Sequence, residues 1–139
     1  AEGSAQLPSV AQWEAAARCG RPAPATKQQE ERDYPWAGAF DPALANTAES
    51  KLQQTTPVDM YLDGKTEAGV FDLAGNVWEW TSDMESRDWY FVKGGSWAEG
   101  AERARAGLRS AGISRYLWYL AGGFRAVVVP ILSCAPSGC

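Results

Sequence analysis

Between Val70 and Thr81 the chain reads Val-Phe-Asp-Leu-Ala-Gly-Asn-Val-Trp-Glu-Trp-Thr, and no other stretch restricts the fold as much. Ala74-Gly75-Asn76 is turn chemistry, and the residues after it alternate, with Val77, Glu79 and Thr81 set against Trp78 and Trp80. This pattern predicts a turn that feeds directly into a β-strand, with the two indoles packed into a core.

One helix is well specified. Ser9 stands at its N-cap, Gln12 at the capping-box position, Pro8 before it and Gly20 after its end. Over Ser9 to Arg18, Val10, Trp13, Ala16 and Ala17 form one apolar stripe at helical spacing. Residues 20–35, with Pro22, Pro24 and Pro35, read as loop. Tyr34 to Met60 keeps no sustained period but carries Trp36, Phe40 and Leu44, which predicts irregular, ordered chain. Tyr90 to Lys93 reads as a second strand ended by Gly94-Gly95. Leu108 to Ser110 reads as a short strand, and Gly123 to Val129 as a clear one stopped by Pro130. Short, mostly antiparallel strands beside one helix make an α+β domain. Residues 1–139 are expected to form a single domain that buries its core without disulfides, with 131–139 as a mobile tail.

Several function classes fall away on residue type. The net charge of −4 gives no support for nucleic-acid binding. Arg103, Arg105, Arg109 and Arg115 read as a solvated or carboxylate-paired face rather than a phosphate site. Cys19, Cys134 and Cys139 cannot build a disulfide framework, and at most Cys134 and Cys139 close a small loop. Histidine is absent, which removes the usual zinc sites, Ser-His-Asp and Cys-His catalysis, and pH sensing near neutrality. No stretch has the apolar length for membrane insertion, and no signal peptide opens the chain. Seven tryptophans suit either an irregular core or an aromatic binding face. Trp13, Trp36, Trp78 and Trp80 are assigned to the core.

Four segments, in order, resemble the formylglycine-generating-enzyme family, whose fold is a divergent C-type lectin. They are Leu7 to Arg18, Tyr34-Pro35-Trp36 with Ala45-Asn46-Thr47, Gly69 to Asp83, and Lys93-Gly94-Gly95-Ser96-Trp97 followed by Gly123-Phe124-Arg125. The resemblance covers residues 7–128 and implies a C-type-lectin-like α+β fold with much irregular loop, from which the family's N-terminal helix and strand are missing. It also implies calcium. The family's equivalents of Asp72 and Glu79 give side-chain oxygens, and the carbonyls of Gly75 and Val77 complete the set. A tight turn through Ala74-Gly75 gathers such oxygens as a hard cation demands. Without the ion, the two carboxylates would repel or one would protonate. For the family's second calcium site the chain keeps Asn46 but has only Glu49 as an acid.

The enzymes of the family place two copper-binding cysteines shortly after the Gly-Gly-Ser-aromatic run, and the related sulfoxide synthases use histidine-ligated iron. Here that stretch is Ala98-Glu99-Gly100-Ala101-Glu102-Arg103-Ala104-Arg105, so neither chemistry has its ligands. No copper, iron or zinc is expected. The layout from Ala98 to Ala121 is similar instead to the variable region of proteins diversified by retroelements. Arg105, Arg109, Arg115 and Gly123-Phe124-Arg125 resemble scaffold positions. Ala98, Glu99, Gly100, Arg103, Leu108, Ser110, Ser114, Tyr116, Leu117, Trp118 and Tyr119 fall between them as candidate ligand contacts. Tyr and Trp give large contact area at small entropic cost. Two readings of Arg115 to Leu120 stay open, an exposed aromatic anchor or a core holding Trp118 and Leu120 with only Tyr116 and Tyr119 outside.

The sequence therefore points to a non-catalytic module binding a protein ligand, displayed on a cell or phage surface. A formylglycine-generating-type oxidase and an undiversified regulatory lectin-like domain stand as alternatives. Carbohydrate is disfavoured, because neither Glu-Pro-Asn nor Gln-Pro-Asp, the calcium-bound sugar motifs of C-type lectins, occurs.

Overall fold

The computed structural model describes residues 3–18, 34–114 and 121–130. Within them the capping box at Ser9 forms as expected. The Ser9 hydroxyl accepts from the Gln12 N–H at 3.1 Å, and the Gln12 side chain accepts from the Ser9 N–H at 2.9 Å. The helix, α1, runs Val10–Ala17 with Arg18 at its C-cap. Asp83 Oδ2 accepts from the Val10 N–H at 2.9 Å, so the start of the helix is tied to the strand beside it.

A four-stranded sheet carries the rest. Its strands are β2 (Trp78–Ser86), β3 (Trp89–Lys93), β4 (Ser110–Ser114) and β5 (Gly122–Gly123), in the order β4-β3-β2-β5. β2 and β3 form an antiparallel hairpin in which Glu79 lies opposite Lys93 and Trp80 opposite Val92. β4 is antiparallel to β3, and β5 is parallel to β2. A separate antiparallel ribbon joins β1 (Gly3–Gln6) to β6 (Val127–Pro130). The described stretch from 34 to 77 is irregular apart from a 3-10 turn at Ala48–Ser50, as the missing periodicity between Tyr34 and Met60 predicts. Among the described residues, no helix is long and apolar enough to cross a membrane.

The core is two clusters that meet at consecutive residues. Leu73 packs with Trp13, Ala17 and Ala106, while Ala74 packs with Tyr34, Trp36, Ala45 and Ala104. Each buried aromatic contributes about 2–3 kcal/mol through area removed from water. Tyr34 and Trp36 stack at 5.4 Å, and Phe40 tilts against both.

Three expectations are corrected. Gly123 to Val129 is not one strand. It leaves the sheet after Gly123, because Arg125 turns inward to Glu79, and it resumes at Val127 to pair with β1. Pro130, expected just past the end of the strand, is its last residue and lies opposite Gly3. The strand placed at Leu108 starts only at Ser110, since the Leu108 carbonyl accepts from Lys93. Trp80 is not fully buried. Its ring stands edge-on to Tyr90 at 6.0 Å and keeps part of its surface in solvent.

Candidate functional site

Three of the sequence motifs cross at one turn. Asp72, Gly75 and Asn76 have φ of 55°, 78° and 66°, so three residues in five are left-handed. The Gly75 N–H donates to the Gly94 carbonyl at 2.7 Å, and the Asn76 N–H donates to the Asn46 carbonyl at 2.7 Å. The Trp97 N–H in turn donates to the Asn76 carbonyl at 3.0 Å. A Cβ on Gly75 would lie 2.3 Å from the Asn46 oxygen, which is why glycine stands there. The Asn76 side chain accepts from the Thr56 N–H and donates to the Thr56 carbonyl and to Asp72 Oδ2. The motifs of the sequence are thus the main-chain knots of the domain.

Of the expected calcium ligands Asp72, Gly75, Val77 and Glu79, the last already has protein donors on both of its oxygens. Both Glu79 oxygens are taken by Arg125, with Nε on Oε2 at 2.5 Å and Nη2 on Oε1 at 2.6 Å. Trp13 Nε1 adds a third donor on Oε2 at 2.6 Å. A carboxylate offers about four acceptor positions, so this one is nearly filled and its charge is met. Arg125 Nη2 also reaches the carbonyls of Phe71 at 3.0 Å and Asp72 at 3.3 Å. Calcium takes 6–8 oxygens drawn from carboxylates, carbonyls and waters. Here a guanidinium sits on the acid, and among the described residues no group of three or more acidic, thiol or imidazole side chains is close enough to hold an ion. Among the described residues, none makes an ion pair with Asp72 at bonding distance. Burial, ahead of all else, pushes its carboxyl up to about 6; the Asn76 amide and the Arg125 charge oppose the rise, and the charges of Glu79 and Asp59 add to it.

Glu49, the one acid near the family's second calcium position, also has protein donors. Glu49 accepts from the Thr47 hydroxyl at 2.6 Å and from the Ala101 N–H at 3.0 Å. Burial is the largest single influence on its carboxyl and raises it. The hydrogen bonds from Thr47, Ala101 and its own N–H together outweigh that, and the net shift is downward. Glu49 is therefore a brace for the loop at Gly100-Ala101, which begins the segment expected to bind ligand.

That segment is mounted on a second cation, and this one is buried. Lys93, with no side-chain exposure, donates to the Ala106 carbonyl at 2.6 Å, to the Leu108 carbonyl and to Glu14 at 3.0 Å, and its ammonium lies 5.3 Å from the Trp13 ring centre. Above this mount Ala98 and Arg103 are exposed, with Glu102, Gly107 and Arg109 beside them, while Glu99, Gly100, Leu108 and Ser110 are half-buried. Ser114 lies in β4, and Tyr116, Leu117, Trp118 and Tyr119 fall outside the described residues, as do Arg115, all three cysteines and the tail. Sequence reasoning treated Phe124 as framework, yet it is 73% exposed beside Arg125. It also missed Lys93 and Trp13 as partners in the site. The signal available was charge on strand and helix positions that must face inward.

Comparison with known proteins agrees with this architecture. The Sulfatase-modifying factor enzyme 1-like domain matches residues 1–128. The inactive C-alpha-formylglycine-generating enzyme 2 of Bos taurus is 32% identical over 110 residues, covering 70% of this chain and 34% of that protein. The formylglycine-generating enzyme of Thermomonospora curvata is 31% identical over 98 residues, covering 61% of this chain and 29% of its own length. The chain thus spans about a third of these curated relatives. Among solved structures, Treponema denticola variable protein 1 superposes with a TM-score of 0.70 at 24% identity, over 92% of this chain and 49% of that one. That likeness shows the fold.

Proposed function

The chain belongs to the sulfatase-modifying factor enzyme 1-like family, and we propose that within it this domain binds a protein ligand through residues 98–121 and carries out no chemistry. The observation that carries the proposal is the content of Ala98 to Arg105. Where the family's enzymes are expected to hold their cysteines, this stretch has neither thiol nor imidazole, and the sequence has no histidine to substitute. Fold supplies no activity once the reacting groups are gone.

Two further features support a binding role. The backbone of the segment is held by Glu49 at Ala101 and by the buried Lys93 at Ala106 and Leu108, whereas Ala98 and Arg103 point to solvent. A surface whose main chain is already fixed binds without the cost of ordering its backbone. The relatives also include a protein named inactive and, at the level of fold, one named variable. Tyr116, Leu117, Trp118 and Tyr119 are the proposed aromatic anchors, with Phe124 next to them in sequence. Display on a cell or phage surface and diversification of the segment belong to the same proposal.

The test compares the wild-type chain with a Tyr116→Ala, Trp118→Ala, Tyr119→Ala triple variant of equal melting temperature. Wild type should retain a specific protein that the variant releases. Conversion of a cysteine-containing sulfatase peptide to an aldehyde, dependent on copper or iron, would overturn the reading.

A further inference from the structure

We propose that Arg125 is the resident cation of the turn between Phe71 and Glu79, so that this turn is held without a metal ion by a side chain from the far end of the binding segment. The turn gathers oxygen. Its left-handed residues at 72, 75 and 76 fold the chain back on itself, and Glu79 enters from the strand that follows, with 6% of its side chain exposed. A buried carboxylate needs a positive partner and directional donors.

Arg125 provides both in one planar group. Its Nε and Nη2 engage the two Glu79 oxygens as a fork, and Nη2 is shared with the carbonyls of Phe71 and Asp72. The four acceptors are those of one small region, and Trp13 closes the remaining side of Glu79 Oε2. A dication brought to these oxygens would meet a full positive charge already in contact with them. To bind, it would have to expel Arg125 and unfasten the chain after Gly123.

Lys93 repeats the arrangement at the near end. Each cation joins one framework carboxylate, Glu14 or Glu79, to two main-chain carbonyls. Trp13 touches both, offering its ring to Lys93 and its N–H to Glu79. The binding segment therefore leaves the framework at one internal cation and returns to it at another. Its rigidity is expected not to depend on calcium.

The experiment measures the melting temperature and calcium-binding calorimetry of the full chain, first stripped with EDTA and then with millimolar calcium chloride or magnesium chloride. For wild type the three melting temperatures should agree within about 1 °C, and calorimetry should give no saturable heat. Arg125→Gln should melt about 5–10 °C lower and recover part of that loss with calcium, because Glu79 and the two carbonyls are then open. If Arg125→Gln does not fold, Arg125→Lys keeps the charge without the fork; it should melt several degrees below wild type and stay insensitive to calcium, and a calcium-dependent rise would overturn the proposal. Saturable calcium binding by wild type, with EDTA lowering its melting temperature by several degrees, would overturn the proposal. So would an Arg125→Gln protein as stable as wild type in EDTA.

Discussion

The turn at residues 71–79 and the segment at 98–110 lie against each other but obey opposite rules. In the turn, side chains and main chain are used up by the fold: Asn76 satisfies Thr56 from both sides, Glu79 is ringed by three donors, and Gly75 leaves no room for a Cβ. In the segment, the main chain is fastened while Ala98, Glu102 and Arg103 turn their side chains to solvent. Gly95 illustrates the boundary, since a Cβ there would meet the backbone of Arg103 and Ala104 at 2.9 Å. Five residues on, a Cβ at Gly100 would meet only the end of the Glu49 side chain, at 3.3 Å. The difference teaches where the domain tolerates change. Identity is dictated where backbone crosses backbone, and released where backbone is held from beneath.

The sharpest contrast is between two alanines. Gly75→Ala places a Cβ 2.3 Å from the Asn46 carbonyl at a φ of 78°, and neither backbone can retreat without losing the hydrogen bonds from Gly75 and Asn76. The expected loss is about 4 kcal/mol or more, read by denaturant or thermal unfolding. Gly100→Ala, with φ of −74° and only a carboxylate to displace, should cost about 1 kcal/mol or less. Equal losses for the two would erase the distinction between the regions.

That distinction was partly visible in the sequence. The turn and strand at Ala74 to Thr81 and the Ser9 helix announce themselves, because glycine, an N-cap pair and alternating indoles are local signals with local causes. The fold class follows from them. The pairing of Glu79 with Arg125 is contained in no local pattern, since the two are 46 residues apart and Arg125 stands in the sequence only as part of Gly-Phe-Arg. Lys93 was likewise legible as the end of a strand but not as a buried cation, as its acceptors at Ala106 and Leu108 are main-chain atoms. β1 escaped altogether: Gly3-Ser4-Ala5-Gln6 is exposed throughout and has no alternation, so only its pairing with Val127 to Pro130 makes it a strand.

A smaller effect separates the regions by pH. Asp72 in the turn has its carboxyl raised to about 6, chiefly by burial, so the folded chain binds a proton more tightly than the unfolded one, whose value is near 3.8. Its favourable contribution is complete below 3.8 and is lost as pH rises through 6. Glu49 under the segment is lowered below 4.5, so its contribution is present above that value and is lost as pH falls through its folded value. Moving from pH 7 to pH 5 should therefore raise the melting temperature slightly. Asp72→Asn, which still offers Asn76 an oxygen, should flatten that rise, whereas Glu49→Gln should leave it in place. A rise that persists in Asp72→Asn would place the titrating group elsewhere.

The smallest stability change is expected where the largest functional one is. Arg103 is exposed, and its N–H donates to the Gly100 carbonyl at 2.9 Å, a bond that survives removal of the side chain. Arg103→Ala should then alter stability by less than about 0.5 kcal/mol. If residues 98–121 bind a protein, the same substitution should weaken capture measurably, because arginine is among the residues that concentrate binding energy at interfaces. Unfolding and capture must be measured on the same preparation. A variant that unfolds early and also binds poorly would make Arg103 part of the framework, and the line between fixed backbone and free side chain would have to be drawn further along the segment.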